Sequence, residues 1–489
     1  MVIFRGVKRS LLFFLLCTAV SIQWVGVGDP WNAKQEGITG AVYSLCGRNF
    51  VRHGFMETEF IPFRNAGAIS PEEFHFYVNH PPLVPILVAL SFKIFGVHEW
   101  AARLVPLLFS LGSLWMIYLL GKRFWSLETA RTAAFIASIL PIFSYYAKHV
   151  DVLGSTLLFF VLLTWITYEC WIATRKPKWL LIALLSFSGA MMTEWDAVLL
   201  AIFFPFDLVF FKKEKIWSWR VWIFPMTEAC FLLFFTLHLY HGVGEAFLAP
   251  ILQALKFHRT SIRLWDYFQR IGLYALVFIN PFGVILAISG CWITLQEERG
   301  RCETKKRLLL FLFGMGVFHA FFFPNFTWIH RHAFFMLTPA IAYAAAIAVT
   351  RLSSWASRSR TRRLWALLFG LLFIGSSLMT TLAIQHWSRS ATARELGEFI
   401  RARSQFDEVV LTSGPHLYPV LFYADRKIRF SVQSRERFED LLRQEKGSVR
   451  LFVLDKHDPI GEDFNRYLHD RYPTETIGDY LFFRLPVRR

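Results

Sequence analysis

Acidic residues are in short supply: 36 Asp and Glu stand against 53 Lys and Arg, a formal net charge of +17. That excess does not indicate a nucleic-acid partner, because the basic residues punctuate apolar runs instead of gathering on one soluble stretch. Cysteine is scarce as well. Six, widely scattered, exclude a disulfide framework, and no C-x-x-C or Cys/His spacing offers a zinc site. Neither a D-x-D motif nor a glycine-rich phosphate loop occurs, so a nucleotide lacks its usual cradle. Internal repeats and low-complexity segments are also missing. What is plentiful is apolar surface: 55% of the 489 residues are hydrophobic and 17% aromatic, with a mean hydropathy of +0.39. This composition excludes an ordinary soluble enzyme of the same length and predicts an α-helical multi-span membrane protein.

Apolar runs recur from Leu11 to about Gln385, and the remainder reads as a soluble domain. Within YVNHPPLVPILVALSFKIFGVHEW (77–100), the apolar part Leu83–Phe95 has thirteen residues, against the roughly 20 that a crossing helix needs. It is expected to lie in the interface as a helix announced by Pro81 and Pro82, with Asn79 or His80 as its cap. Spans are then predicted near 11–27, 101–120, 129–144, 153–170, 179–193, 196–211, 221–238, 273–294, 308–323, 333–350 and 364–385, eleven in all. Alternate loops carry the charge: Lys122 and Arg123; Arg175, Lys176 and Lys178; Lys212 to Arg220; Arg299 to Arg307; Arg351 to Arg363. By the positive-inside rule those loops and the N-terminus, with Arg5, Lys8 and Arg9, are cytoplasmic. Counting 83–95 as a crossing would invert every one of them.

Residues 28–100 thus form a long outer loop whose ends read as interfacial helices, the first carrying Ile38, Val42 and Leu45 at helical spacing. The expected partition is a membrane domain over 1–385 and a small extracytoplasmic α/β domain over 386–489. The latter is signalled by the strand-like runs EVVLTSG, KIRFSV, VRLFVLDK and YLFFRL between helical ones. The protein is expected in the inner (plasma) membrane.

The order of a first span followed by Asp29, a long outer loop closing with NHPPL, then FGVHEWAARLVPLLFSL and YLLGKRFW resembles the GT-C superfamily of membrane glycosyltransferases. It is most similar to the branch of the protein O-mannosyltransferases and bacterial aminoarabinose transferases, glycosyltransferase families 39 and 83. The similarity is closest over 24–170 and lapses over the tail. What it implies is transfer of a sugar from a polyprenyl phosphate to an acceptor lipid, glycan or protein on the outer face, by inverting displacement, with membrane lipids as the other partners and no nucleic acid.

On that resemblance Asp29 is the general base. Many relatives have two adjacent acids where this chain has Asp29-Pro30, so a second acidic role passes to Glu36, seven residues on, two turns away if both stand on one helix. The leaving phosphate needs cationic donors. His80, Lys148, His149, His330 and Arg331 are the candidates, and some relatives have a lysine in place of His80. Asn79 and Asp151 are expected as substrate contacts, with helix capping the competing account of Asp151. Glu194 and Asp196 in TEWDA read as a solvated turn. Metal dependence stays open, a divalent ion being one alternative. A flippase for lipid-linked saccharides and an inactive scaffold of an envelope complex are the rival readings; acids crowding the outer surface, with mostly clean spans, favour catalysis over transport.

Overall fold

The computed structural model describes Cys17 and residues 20–258, 262–296, 299–445, 447–458 and 460–486. Residues 11–16, 18 and 19 of the predicted span 11–27 therefore lie outside the described residues. The chain forms two compact units: Met1–Val27, Val78–Leu87 and Trp100–Trp387 make the first, and Gly28–Tyr77, Val88–Glu99 and Ser388–Arg489 the second. The boundary drawn from sequence near residue 385 placed loop 28–100 with the spans. Most of that loop clusters instead with the tail.

The first unit is helical. Among the described residues, five helices are long and apolar enough to cross a membrane: Glu99–Phe124, Ser155–Thr174, Trp219–Gln253, Arg331–Ala356 and Arg360–Arg403. A sixth arises if the pair Leu264–Ile279 and Pro281–Gln296, bent by 97°, is one span. Proline explains part of the difference from the continuous spans predicted. The stretch 129–144 is broken at Leu140, which Pro141 holds at ψ 129°, so Leu127–Ile139 ends there and a short helix Pro141–Tyr146 follows. The stretch 273–294 is broken at Asn280, where φ is 74°. Asn280 stabilises the bend through its side chain, donating to Ser376 Oγ at 2.6 Å and accepting from Phe282 N at 3.0 Å.

Small residues let the helices of this unit approach closely. A Cβ on Gly290 would stand 1.7 Å from the Ala344 carbonyl oxygen, and one on Gly121 2.7 Å from Ala130 Cα. Pro281–Gln296 and the alanine-rich Thr338–Ala356 therefore pack nearly backbone to backbone. One cluster of buried charge inside this unit is paired. Arg307, predicted to sit in a basic loop, is buried and donates to both carboxylate oxygens of Asp207 at 2.5 and 2.7 Å and to Glu169, while Tyr168 donates to Asp207 at 2.6 Å. The expectation of mostly clean spans missed this network. An arginine in the company of two carboxylates is tolerable where an isolated ion is not.

In the second unit the tail forms a five-stranded sheet, β1 Val409–Thr412, β2 Lys427–Arg429, β3 Val449–Asp455, β4 Thr474–Ile477 and β5 Tyr480–Arg484, ordered β2-β1-β3-β5-β4. The first three are parallel and β5 is antiparallel to both β3 and β4. Only β4 escaped the sequence reading, since TETI is a polar, largely exposed edge. The helix Gln35–His53, expected to be interfacial, is buried on all sides from Gly40 to Phe50. Its Arg48 and Arg52 grip Asp425 at 3.0 and 2.6 Å.

Candidate active site

The NHPP turn is held by backbone contacts before any charge is considered. Leu83 N donates to the Met192 carbonyl at 3.0 Å, and Trp195 Nε1 donates to the Asn79 carbonyl at 2.7 Å. The helix Leu83–Phe95 has the predicted thirteen residues. Asn79 and His80 stand ahead of it without capping it: the Pro82 carbonyl accepts the first helical bond, from Ile86 N at 3.0 Å.

This clamp brings His80 against Glu194, Nδ1 to Oε2 at 2.7 Å. Glu194 and Asp196 are each 4% exposed, so TEWDA is a buried acidic turn and not the solvated one expected. Glu194 also caps its own turn, accepting from Trp195 N at 3.0 Å. Burial pushes the His80 imidazole toward the neutral form, but Glu194, reinforced by Asp151 and Asp196, outweighs it and the net shift is upward.

Beside this pair lies a buried His–Asp–His group. Asp151 Oδ2 is 3.2 Å from both His149 Nε2 and His332 Nε2, while its Oδ1 accepts from Val152 N at 2.6 Å. Burial acts to raise the Asp151 carboxyl, but His332, His149 and His330 together hold it well below the usual carboxylate range. His332 was not singled out from sequence; the signal was present in the paired spacings His149-x-Asp151 and His330-x-His332. In the tight turn Arg331–Leu337 it is His332 that is buried at 2% exposure, whereas Arg331 is exposed and His330 stacks on Phe326 at 4.1 Å. Lys148, next along, donates to the Val25 carbonyl.

One ligand atom each from His149, Asp151 and His332 lies within 4.8 Å of the others. Two imidazole nitrogens and a carboxylate suit a borderline divalent ion such as zinc. The residues therefore fit such an ion by number and chemistry.

Asp29 and Glu36 belong to the second unit. Asp29 Oδ2 accepts from Arg389 Nε at 2.8 Å, in a half-exposed ion pair. Asp29 precedes the helix Gln35–His53 and Glu36 is in its first turn, so the two acids do not share one helix face as the seven-residue spacing suggested. The intervening PWNAKQEG folds back on the helix: a Cβ on Gly37 would fall 2.1 Å from the Asn32 carbonyl oxygen, and one on Gly40 2.2 Å from the Trp31 ring. Asn32 Nδ2 in turn donates to the Ser388 carbonyl at 2.5 Å, which brings the chain beside Arg389. Arg389 carried no sequence signal, since 360 positions separate it from Asp29.

Residues 79–241 match the family model described as dolichyl-phosphate-mannose-protein mannosyltransferase. Over 180 residues, 36% of this chain, the sequence is 30% identical to the Bacillus subtilis (strain 168) protein YkcB, whose name assigns it provisionally to mannosyl transfer. The chain spans 23% of that relative's length. Similarity of structure extends further. ArnT from Cupriavidus metallidurans, solved both in the apo state and bound to undecaprenyl phosphate, superposes with a TM-score of 0.63 at 14% identity over 97% of this chain and 98% of that one. The Archaeoglobus fulgidus oligosaccharyltransferase AglB, in complex with an inhibitory peptide and a dolichol-phosphate, gives 0.58 at 12% identity over 92% of this chain and 70% of that one. The fold is the one shared with ArnT and AglB.

Proposed function

We propose that this chain is a membrane glycosyltransferase that moves a sugar from a polyprenyl-phosphate donor to an acceptor lipid, glycan or protein on the outer face of the membrane. The observation that carries this reading is the buried His80–Glu194 pair beside the Asp151 cluster. A cationic donor fixed in a site of low dielectric is what a departing lipid phosphate requires. The ArnT structure with undecaprenyl phosphate supports the donor class by likeness of fold.

In the reaction, Asp29 takes the proton of the acceptor hydroxyl or amine as its oxygen or nitrogen bonds to the anomeric carbon. The bond from that carbon to the phosphate oxygen breaks with inversion, and polyprenyl phosphate leaves carrying the electron pair. Arg389 orients the Asp29 carboxylate. His80 meets the developing charge on the phosphate, with Lys148 and Arg331 as further cations, while Asn79 and His330 remain candidate contacts to the donor and Glu36 a second acid. A divalent ion held by His149, Asp151 and His332 would add charge stabilisation for that phosphate.

The test is direct. Purified protein in nanodiscs is given polyprenyl-phosphate mannose and, in parallel, the pentosyl-linked donor, with extracted envelope lipids and proteins as acceptors. Mass spectrometry should find a sugar added to an acceptor and free polyprenyl phosphate released. Absence of transfer there, with movement of intact donor across sealed proteoliposomes that hold the same protein, would establish the flippase reading instead.

The proposed topology, eleven crossings with the N-terminus cytoplasmic and residues 28–100 and 386–489 outside, makes its own prediction. Ser70 and Ser359 are both exposed in the fold. In a cysteine-free background, a thiol introduced at Ser70 should react with an impermeant reagent in intact cells, and one at Ser359 only after lysis. Reaction at Ser359 alone would put the proposed site on the wrong side.

A further inference from the structure

Away from the His80 cluster, a groove of about 610 Å³ opens between the helices Pro281–Gln296, Thr338–Ala356 and Arg360–Ser388. Its volume is in the range of sites for small lipophilic molecules, roughly 300–1,000 Å³. Leu286, Ile293, Leu368, Phe369 and Leu372 give it an apolar wall, and Arg351 is its one charged lining residue. Trp355 and Trp365 flank that end, 39% and 61% exposed, as indoles do where hydrocarbon meets headgroups.

The groove is graded along its length. Trp365, Phe369 and Leu372 lie at helical spacing on one face and descend about 10 Å from the arginine end. The segment RLSSWASRSRTRR, 351–363, contains five arginines and no acid. Among the described residues the Arg351 guanidinium has no carboxylate partner, while Arg362 lies over the Trp355 ring at 5.2 Å. Arg351 at the mouth of an apolar slot, with Arg362 over the adjoining Trp355 ring, complements a ligand with one anionic head and apolar chains.

We propose that this groove is a binding site for an anionic glycerophospholipid, its phosphate on Arg351 and an acyl chain along Leu286, Phe369 and Leu372. The sugar donor has the same general chemistry, but the position argues against it. His332 and Arg351 are nineteen positions apart on the continuous helical stretch Arg331–Ala356. At 1.5 Å or more per residue this places them about 28 Å apart, close to the whole hydrocarbon thickness. A donor with its phosphate at Arg351 would leave its sugar in the wrong leaflet. Basic pockets between membrane helices on the cytoplasmic side recur as sites for anionic lipid headgroups.

The test uses the full chain in phosphatidylcholine nanodiscs with and without added phosphatidylglycerol, read by native mass spectrometry of retained lipid and by thermal unfolding. Wild-type protein should retain phosphatidylglycerol in preference to phosphatidylcholine and unfold at a higher temperature when it is present. Arg351→Gln should retain at least about tenfold less phosphatidylglycerol and lose the thermal shift, as expected when a charge-assisted contact is removed. Arg351→Lys should restore much of both, and Ser289→Trp, which fills the groove without changing charge, should abolish both. Equal retention of the two lipids by wild type, undiminished retention by Arg351→Gln and Ser289→Trp, or copurification of polyprenyl phosphate in an Arg351-dependent manner would each overturn the proposal.

Discussion

Asp29→Asn should lower turnover by roughly 10²-fold or more while the donor lipid continues to bind. Asparagine keeps the size of the side chain and an oxygen that accepts from Arg389, so the loop geometry survives. What disappears is the group able to take the acceptor proton. Loss of the ion pair itself costs the fold little, because both partners are half-exposed and such pairs are worth about 0–1 kcal/mol. Binding and chemistry should therefore separate: polyprenyl phosphate affinity by isothermal calorimetry near that of wild type, and single-turnover transfer slowed severely. Near-normal transfer would remove the base assignment from Asp29, and Glu36 and Asp151 would be examined next.

Glu194→Gln should change the pH dependence of donor binding. The folded-state pKa of His80 is raised, so its positive charge is present at low pH and is lost as pH rises through that elevated value. Without the Glu194 carboxylate, burial pulls the pKa down and the charge is lost at lower pH. At a pH below both folded-state values the variant and wild type should bind polyprenyl phosphate alike; in the interval between the variant's lowered value and the wild type's raised one the variant should bind about tenfold more weakly, the effect expected for losing a charged hydrogen bond, so that its binding profile is displaced to lower pH. His80→Lys combined with Glu194→Gln should flatten the profile, since an ammonium stays charged throughout this interval. Superimposable pH profiles for wild type and Glu194→Gln would show that the ion pair serves folding alone.

Several features are legible in the order of residues by itself. A thirteen-residue, mostly apolar run behind two prolines marks a short helix at Leu83–Phe95, because helix length follows from the apolar run and prolines favour the first turn. Alternating apolar runs reveal four of the five strands. His80 and Asp151, singled out from their motif context, are both drawn into buried ion-paired groups. Other readings fail for identifiable reasons. Pattern alone treats 129–144 and 273–294 as single spans, since Pro141 and the Asn280-Pro281 step interrupt the backbone without interrupting hydropathy. TEWDA looks solvated because its acids are adjacent to a turn, and only the clamp from Leu83 and Asn79 buries them.

Local chemistry thus determined a helical membrane architecture, the short helix Leu83–Phe95, and which residue types are available to a lipid phosphate. Tertiary structure alone decided which of them meet. Glu194 lies 114 positions from His80, His332 lies 181 from Asp151, and Arg389 lies 360 from Asp29. Each of these pairings depends on packing that local periodicity does not encode, namely the approach of small residues, the breaks at prolines and the return of the tail to the first loop. An ion pair forms only where the backbone delivers both charges, and over such separations that delivery is a property of the whole fold.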